Sequence, residues 1–369
     1  MSLFKELRAQ VSGELLEDDV SRGVYSTDAS MFQITPVAVL TPKDAKDVVA
    51  AVNFCRTNRV PIVPRGGGTS LAGQAVGEAL ILDCSRHMNA ILEIDPERRI
   101  ARVQPGVLRD QLNAALKPHG LHFAPDPATA DRATIGGMIA NNSAGMRSVR
   151  YGMTIDHVET VTLVLADGEP VKLGPGLPAA PHALTERLRT LLTPLRDEIL
   201  RRFPKVARRS GGYSLDAFTG PQPWNFAKIV AGSEGTLGMV VEAEVNLEPL
   251  PRQSRVLLAM YRELDGCLRS IEGLVDLRPT AVELMDENVI RQARQNRLTA
   301  EICKIVPGDP AASGLPEPDD DLLLIFNGDP HAHRFVLPPA APGWTLRLHT
   351  QEQPPAGVGA AIVVEATSV

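Results

Sequence analysis

Apolar and polar positions along this chain switch repeatedly between a strand-like and a helix-like period, which predicts mixed helices and sheets. Residues 1–35 read as a helical arm that ends in a polar turn at Tyr25-Ser26-Thr27-Asp28. Val37 to Leu40 has the length and apolarity of a buried strand. Thr41-Pro42-Lys43-Asp44 then opens a helix, with Thr41 as cap and Pro42 at the first helical position. Val48, Val49, Val52 and Cys55 recur at helical spacing as far as about Asn58, and Val60 to Val63 is strand-like again. A loop and the strand Ala79 to Leu82 follow, so this first lobe is expected to close near Asp95-Pro96.

The second lobe begins with a strand from Ile100 and a helix over about Val107 to Lys117, whose Leu108, Leu112, Ala115 and Leu116 share a face. Val158 to Leu165, the turn Asp167-Gly168 and Pro170 to Leu173 spell a hairpin. One long amphipathic helix is expected over about Ala183 to Arg202, and a strand over Met239 to Leu247. Pro249 to Pro251 marks a boundary, after which Val256 to Tyr261, a helix around Leu264 to Leu277 and the Ala281 to Asp286 segment suggest a further α/β unit. Beyond Asp329, proline and glycine crowd the chain and periodicity fades. The expected domains are an arm (1–35), a two-lobed domain (36–250, dividing at 96/97), a partial α/β domain (251–329) and an atypical tail (330–369).

Composition narrows the function. The 369 residues carry a net charge of -6, which leaves no basic surplus for nucleic acid. No apolar run reaches the ~18 residues of a membrane span, and the charged start M-S-L-F-K-E-L-R does not read as a signal peptide, so a cytoplasmic location is expected. Cys55, Cys84, Cys267 and Cys303 are scattered without a C-x-x-C pair, which supports neither zinc nor an iron–sulfur cluster. His331 and His333 form an H-x-H pair without an evident third ligand and read as a surface loop; no metal site is expected.

Three glycine-rich segments carry the chemistry. Val63 to Gly77 contains Gly66-Gly67-Gly68-Thr69-Ser70, a turn whose successive N–H groups and hydroxyls suit a phosphate. It has no lysine for a Walker A loop, and Leu71 stands where a dinucleotide fingerprint needs its third glycine. In the helix-like run from Thr134 to Gly145, Gly136 and Gly137 cost roughly 1 kcal/mol each relative to alanine, so either a ligand or a packed helix comes close to that backbone. Ala231 to Gly238 is a second glycine turn between strands.

Together, P-R-G-G-G-T-S-L-A-G-Q, I-G-G-M-I-A-N-N-S-A-G-M-R-S-V-R-Y-G and A-G-S-E-G-T-L-G resemble the PCMH-type FAD-binding domain of the vanillyl-alcohol oxidase superfamily. The branch is that of D-lactate, glycolate and D-2-hydroxyglutarate dehydrogenases, in particular the FAD module of bacterial forms fused to an iron–sulfur module. The resemblance covers about residues 20–329 and implies an α+β fold: two α/β lobes with FAD between them, then a partial α/β cap. It implies that the pyrophosphate lies on Gly66, Gly67, Gly68, Thr69 and Ser70, with Arg65 beside them and Leu71 toward the flavin. Pro125, Thr134, Gly136, Gly137, Ser143, Gly145 and Gly152 would line the rest, and Glu234, Gly235 and Val240 would lie toward the adenosine half.

The implied reaction is oxidation of a D-2-hydroxy acid to the 2-keto acid, with electrons leaving to an iron–sulfur subunit, a flavoprotein or a quinone. Members with tethered flavin carry histidine in or beside the glycine loop; this loop has none, so noncovalent FAD is expected. The cap's G-D-G-N-x-H motif and the cysteine-rich cluster motifs of the fused forms are absent from this sequence. Truncation, a frameshift or a partner subunit would each account for that, and an FAD-binding module without its own catalysis is the alternative function. An enolpyruvyl-sugar reductase shares the flavin fold, but the long Ile135 to Gly152 match and Leu284-Met285-Asp286 argue against it. On the substrate side, catalytic residues are unassigned, with Arg208, Arg209 and Tyr213 as the candidates.

Overall fold

The computed structural model describes residues 3–175, 183–206, 208–219, 224–251, 255–261, 264–276, 278–303, 321–327, 346–350 and 361–366. The chain forms two compact units, Met1–Gly145 with Gly152–Leu250, and Met146–Tyr151 with Pro251–Val369.

The first unit opens with α1 (Lys5–Gln10), β1 (Glu14–Leu16), α2 (Asp19–Val24), β2 (Ala38–Thr41), α3 (Ala45–Asn58), β3 (Ile62–Arg65) and β4 (Leu80–Asp83). Its first sheet runs β1-β2-β4-β3. β2, β4 and β3 are parallel, and β1 joins antiparallel with Leu15 opposite Leu40. Residues 1–35 are therefore more than an arm. Phe4, Leu7 and Leu15 are buried in the same core as Leu40, Val48, Phe54 and Leu80, and the Phe4 and Phe54 rings lie 5.5 Å apart.

The cap of α3 differs from the expectation. Thr41 ends β2, and Asp44 caps the helix by accepting from the N–H groups of Lys46 (2.8 Å) and Asp47 (3.0 Å). Asp44 is the extended residue immediately before the helix, which is where a side-chain oxygen reaches the first free N–H groups. One turn on, the buried Asp47 carboxylate accepts from the backbone N–H groups of Ser12 (2.8 Å), Gly13 (2.9 Å) and Lys43 (2.9 Å) and from the Ser12 hydroxyl. Burial alone would raise its pKa, but these donors outweigh it and hold the carboxyl below its ordinary value.

The second sheet uses β5 (Ile91–Asp95), β6 (Ile100–Val103), β8 (Val158–Val164), β9 (Pro170–Leu173) and β10 (Met239–Asn246) in the antiparallel order β5-β6-β10-β8-β9. The lobe boundary thus falls before Ile91 rather than after Asp95: β5 and β6 form a hairpin whose turn places Arg99 at φ 53. The β8–β9 hairpin turns at Asp167-Gly168, with Gly168 at φ 85. Between these strands lie α4 (Arg109–Leu116), β7 (Leu121–His122), which pairs with β11 (Glu248–Pro249), α5 (Ile135–Asn141) and α7 (Thr154–His157). The expected long helix is α8 (Ala183–Leu192) and α9 (Arg196–Arg202), parted by a 3-10 turn at Thr193–Leu195, because Pro194 cannot donate into a continuous helix. α10 (Leu215–Phe218) follows. Ala101, Leu112, Phe123, Ile135, Val161, Phe226 and Val245 are among the buried residues of this lobe's core.

The second unit holds α6 (Ser148–Tyr151), β12 (Arg255–Tyr261), α11 (Leu264–Asp276), β13 (Ala281–Met285), α12 (Glu287–Gln295), α13 (Ala300–Cys303), β14 (Asp321–Asn327), β15 (Leu346–Thr350) and β16 (Ala361–Ala366). Its sheet runs β13-β14-β12-β16-β15, with β12 and β16 parallel. The tail expected from residue 330 therefore contributes two strands, since Ala361-Ile362-Val363-Val364 is an apolar run that pairs with β12. His331 and His333 lie outside the described residues. Among the described residues, no helix is long and apolar enough to cross a membrane.

Candidate cofactor-binding site

β3 delivers the chain to Gly66-Gly67-Gly68-Thr69-Ser70. The three glycines are needed for different reasons. A side chain at Gly66 would run into the Thr134 hydroxyl, and one at Gly67 into the Arg132 carbonyl. Only Gly68 is left-handed, at φ 63, and a Cβ there would stand 2.7 Å from Arg65 Nη2. Among the described residues, none of the backbone N–H groups from Gly66 to Ser70 donates to a protein acceptor. The loop therefore presents a run of uncommitted donors.

The second segment is α5. Thr134 caps it, its hydroxyl accepting from Gly137 N at 3.2 Å. The two readings of its glycines, ligand approach and tight packing, divide between them. Gly136 is packed, since a Cβ there would lie 2.6 Å from Pro105 Cβ. A Cβ on Gly137 would meet only Thr134 Oγ1, at 3.0 Å. α5 ends at Asn142 in a left-handed conformation, φ 49, whose Oδ1 accepts from Ile155 N at 2.9 Å.

The third segment folds back on α5. Gly232 N donates to Ile139 O and Glu234 N to Ala140 O, each at 3.0 Å. Gly232, Glu234 and Gly235 take φ values of 87, 50 and 80, and a side chain at Gly235 would run into the Pro64 ring. Glycine is required here for the turn and for contact with the strand that carries the first segment.

The three segments wall one cavity. Arg65, the loop from Gly66 to Ser70, Thr134, Gly136, Gly137, Ser143, Glu234, Gly235 and Val240 all line it. Leu71, Pro125, Gly145 and Gly152 do not. Leu71 is exposed and faces a second depression with Val24 and Asp28. Buried Pro125 offers its carbonyl to Arg109 Nε at 3.0 Å, and Gly145 is held against Asp126. Gly152, at φ 75, would clash with the Asp156 side chain if it carried a Cβ. Pro125, Gly145 and Gly152 each serve a turn or packing contact, which sequence cannot separate from ligand contact.

Sequence reasoning missed Gln74 and Cys84. Gln74 Nε2 donates to Glu234 Oε1 at 3.1 Å, joining the first and third segments. A carboxylate only accepts, so the amide nitrogen faces Glu234 and Oε1 is left as a buried acceptor without a partner. The glutamine follows Gly73 inside the same quoted motif, and only its contact across 160 residues reveals it. Burial pushes the Cys84 thiol up to about 12, with the neighbouring Asp83 charge adding to the effect. The remaining wall includes apolar Met138, Val230 and Met239; Arg65 and Glu234 are its charged side chains.

The substrate-side candidates stand elsewhere. Arg209 is paired with Asp216 at 2.7 Å and stacks on Phe203, Tyr213 Oη contacts Thr236 Oγ1 at 2.6 Å, and Arg208 is exposed. None of the three lines the cavity.

Residues 36–174, which carry the first two segments, match the family described as FAD binding domain. The chain carries an FAD binding domain. FAD is its cofactor, and the walls fit that group: uncommitted N–H donors and hydroxyls for a pyrophosphate, apolar surface for a ring, and a stranded amide acceptor. Across the domain and beyond it, the chain is 37% identical over 315 residues to a D-2-hydroxyglutarate dehydrogenase of Pseudomonas putida, covering 81% of this chain and 31% of that one. A D-2-hydroxyglutarate dehydrogenase of Escherichia coli is 35% identical over 90% of this chain and 34% of its own length. Glycolate oxidase subunit GlcD of Bacillus subtilis is 33% identical over 88% of this chain and 59% of its own. The chain thus spans about a third of the length of the dehydrogenases it matches. Among solved structures, alkyldihydroxyacetonephosphate synthase shares the fold, with a TM-score of 0.65 at 19% identity over 89% of this chain and 56% of that one.

Proposed function

We propose that this chain is the FAD-binding part of an oxidoreductase that converts a D-2-hydroxy acid to the 2-keto acid, passing electrons to an acceptor other than oxygen. The carrying observation is that three glycine-rich segments, far apart in sequence, converge on one cavity with free backbone donors and no lysine. Gly66 to Ser70 would hold the pyrophosphate, Gly137 and Ser143 would leave room for the cofactor's body, and Gln74 would accept from one of its donors. When bound, FAD supplies the acceptor for the hydride removed from the hydroxy acid's C2. The relatives named as D-2-hydroxyglutarate dehydrogenases and GlcD support this substrate class. The electron acceptor that fits them is an iron–sulfur subunit, a flavoprotein or a quinone.

Under this reading, D-2-hydroxyglutarate, D-lactate or glycolate bleaches the bound flavin under anaerobic conditions, and the L-acids do not. A specific observation favours a second reading, an FAD-binding module that needs a partner for catalysis: among the described residues, the cavity wall carries no histidine or lysine to take the substrate's proton. Bleaching at a rate near the ~10 s⁻¹ typical of enzymes would rule that module out. No bleaching with any of the acids would leave the module as the function.

The flavin is held without a covalent bond. Among the described residues, the cavity wall offers no histidine or tyrosine for a tether, and its one thiol, Cys84, stays protonated at neutral pH because burial has pushed it up to about 12. Acid precipitation is expected to release all flavin as free FAD, and fluorescence remaining in the washed pellet would overturn this.

A further inference from the structure

Arg65 lies at the mouth of the glycine loop, where a cation beside a pyrophosphate suggests direct charge pairing. Its guanidinium is already committed elsewhere. Nη2 donates to the Thr27 carbonyl at 2.8 Å, and Nη1 donates to the carbonyls of Ala75 at 3.1 Å and Tyr25 at 3.4 Å. Its Cζ sits 5.2 Å from the centroid of the Tyr25 ring. Gly68 rests against the same group, close enough that a Cβ would stand 2.7 Å from Nη2 and 3.2 Å from Cζ.

The contacts close a frame around the loop. Arg65 stands at its beginning and Ala75 at its end, so the Nη1 bond spans its base. On the other side, Ala29 N donates to Gly68 O at 3.0 Å and Ala75 N to Asp28 Oδ2 at 3.4 Å. Tyr25 is anchored in turn, its hydroxyl donating to Asp83 Oδ2 at 2.7 Å, and Asp83 is the β4 residue paired with Arg65 in the sheet. Residues 25–29 thus form the outer jaw of a clamp whose hinge is the paired C-terminal ends of β3 and β4.

We propose that Arg65 is a positioning residue: it holds Gly66 to Ser70 in the shape that receives the pyrophosphate, and does not itself pair with it. The proposal rests on the FAD reading above for its binding consequence. A planar fork with several donors can serve separate carbonyls at once, whereas an ammonium keeps the charge and loses the fork. A loop ordered before binding spares the association the entropy of ordering it, so the loss on removing the clamp appears as affinity.

Three measurements test this on the full chain. In the FAD-free protein, hydrogen exchange of residues 66–75 is expected to be faster in Arg65→Lys than in wild type. Equal exchange would overturn the clamp, and this arm needs neither FAD nor activity. In FAD titrations, Arg65→Lys and Arg65→Met are expected to lose affinity alike, by ~10-fold or more. Lysine holding near wild-type affinity while methionine loses it would assign Arg65 to the phosphate and overturn the proposal. Methylguanidinium chloride is expected to restore part of the FAD affinity of Arg65→Ala, and an equal concentration of sodium chloride is not. Absence of FAD binding by wild type, with the exchange difference present, would strike the FAD reading and leave the clamp standing as a loop brace.

Discussion

Gly137→Val is expected to abolish FAD retention while the apoprotein stays folded. In α5, the second segment, Gly137 is the glycine whose side-chain direction is open: a Cβ there meets only the Thr134 hydroxyl, at 3.0 Å, and the residue lines the cavity. Valine would place two methyl groups where the proposed cofactor passes α5. Its helix propensity is no worse than glycine's, so apoprotein stability should move by no more than ~1 kcal/mol. Gly137→Ala should show the effect in miniature, with FAD binding weakened ~10-fold at unchanged folding. Wild-type flavin content in Gly137→Val would remove the α5 face from the site. The neighbouring glycines cannot serve this purpose. Valine at Gly67 would drive into the Arg132 carbonyl, and at Gly136 into Pro105, so either would damage the protein's own packing whether or not FAD binds.

The largest expected loss of stability belongs to Asp47→Ala, at about 3–5 kcal/mol in urea unfolding of the FAD-free protein. The substitution removes the shared acceptor of the backbone N–H groups of Ser12, Gly13 and Lys43 in a part-buried corner, and each donor left unmet costs about 1–3 kcal/mol, less where water replaces the carboxylate. It also releases the segment that leads into β1. The effect carries a pH signature. The folded-state pKa of Asp47 lies below its ordinary 3.8, so its contribution is fully present above that value and disappears as pH falls through the depressed one. The gap between wild type and variant should therefore be flat from about pH 5 to 8 and shrink below about pH 4. A gap that is unchanged at low pH would mean that the carboxylate's charge is not what holds the corner.

Much of this was legible in the residue pattern, for identifiable reasons. Glycine triplets, hairpin turns and apolar runs depend on local sterics and period, so the β3 loop, the Asp167-Gly168 turn and the strands β2, β3, β4, β6, β8, β9 and β10 could be read directly. What could not be read depends on partners distant in sequence. Whether Ile91–Asp95 closes the first lobe or opens the second is decided by pairing with β6, and β1 counts as a strand only because β2 is there to receive it. The same holds at the site. Gly67 and Gly137 look alike in sequence, yet one is filled by Arg132 and the other open. Gln74 gains its meaning from Glu234, and the Asp216 partner of Arg209 is visible only in the fold.

The position of β10 sets the order in which this site can come into being. It is the last long strand of the first unit, yet it lies in the middle of its sheet, between β6 and β8. As the chain is synthesised, the hairpins β5–β6 and β8–β9 can each close locally, but the two halves have nothing to join them until Met239–Asn246 arrives. Non-local pairing of this kind is slow, and it leaves two apolar strand edges waiting in the meantime. The Ala231–Gly238 turn that completes the cavity immediately precedes the joining strand. The pocket is thus among the last parts of the unit to be assembled, and flavin capture marks a first unit whose central sheet has already closed.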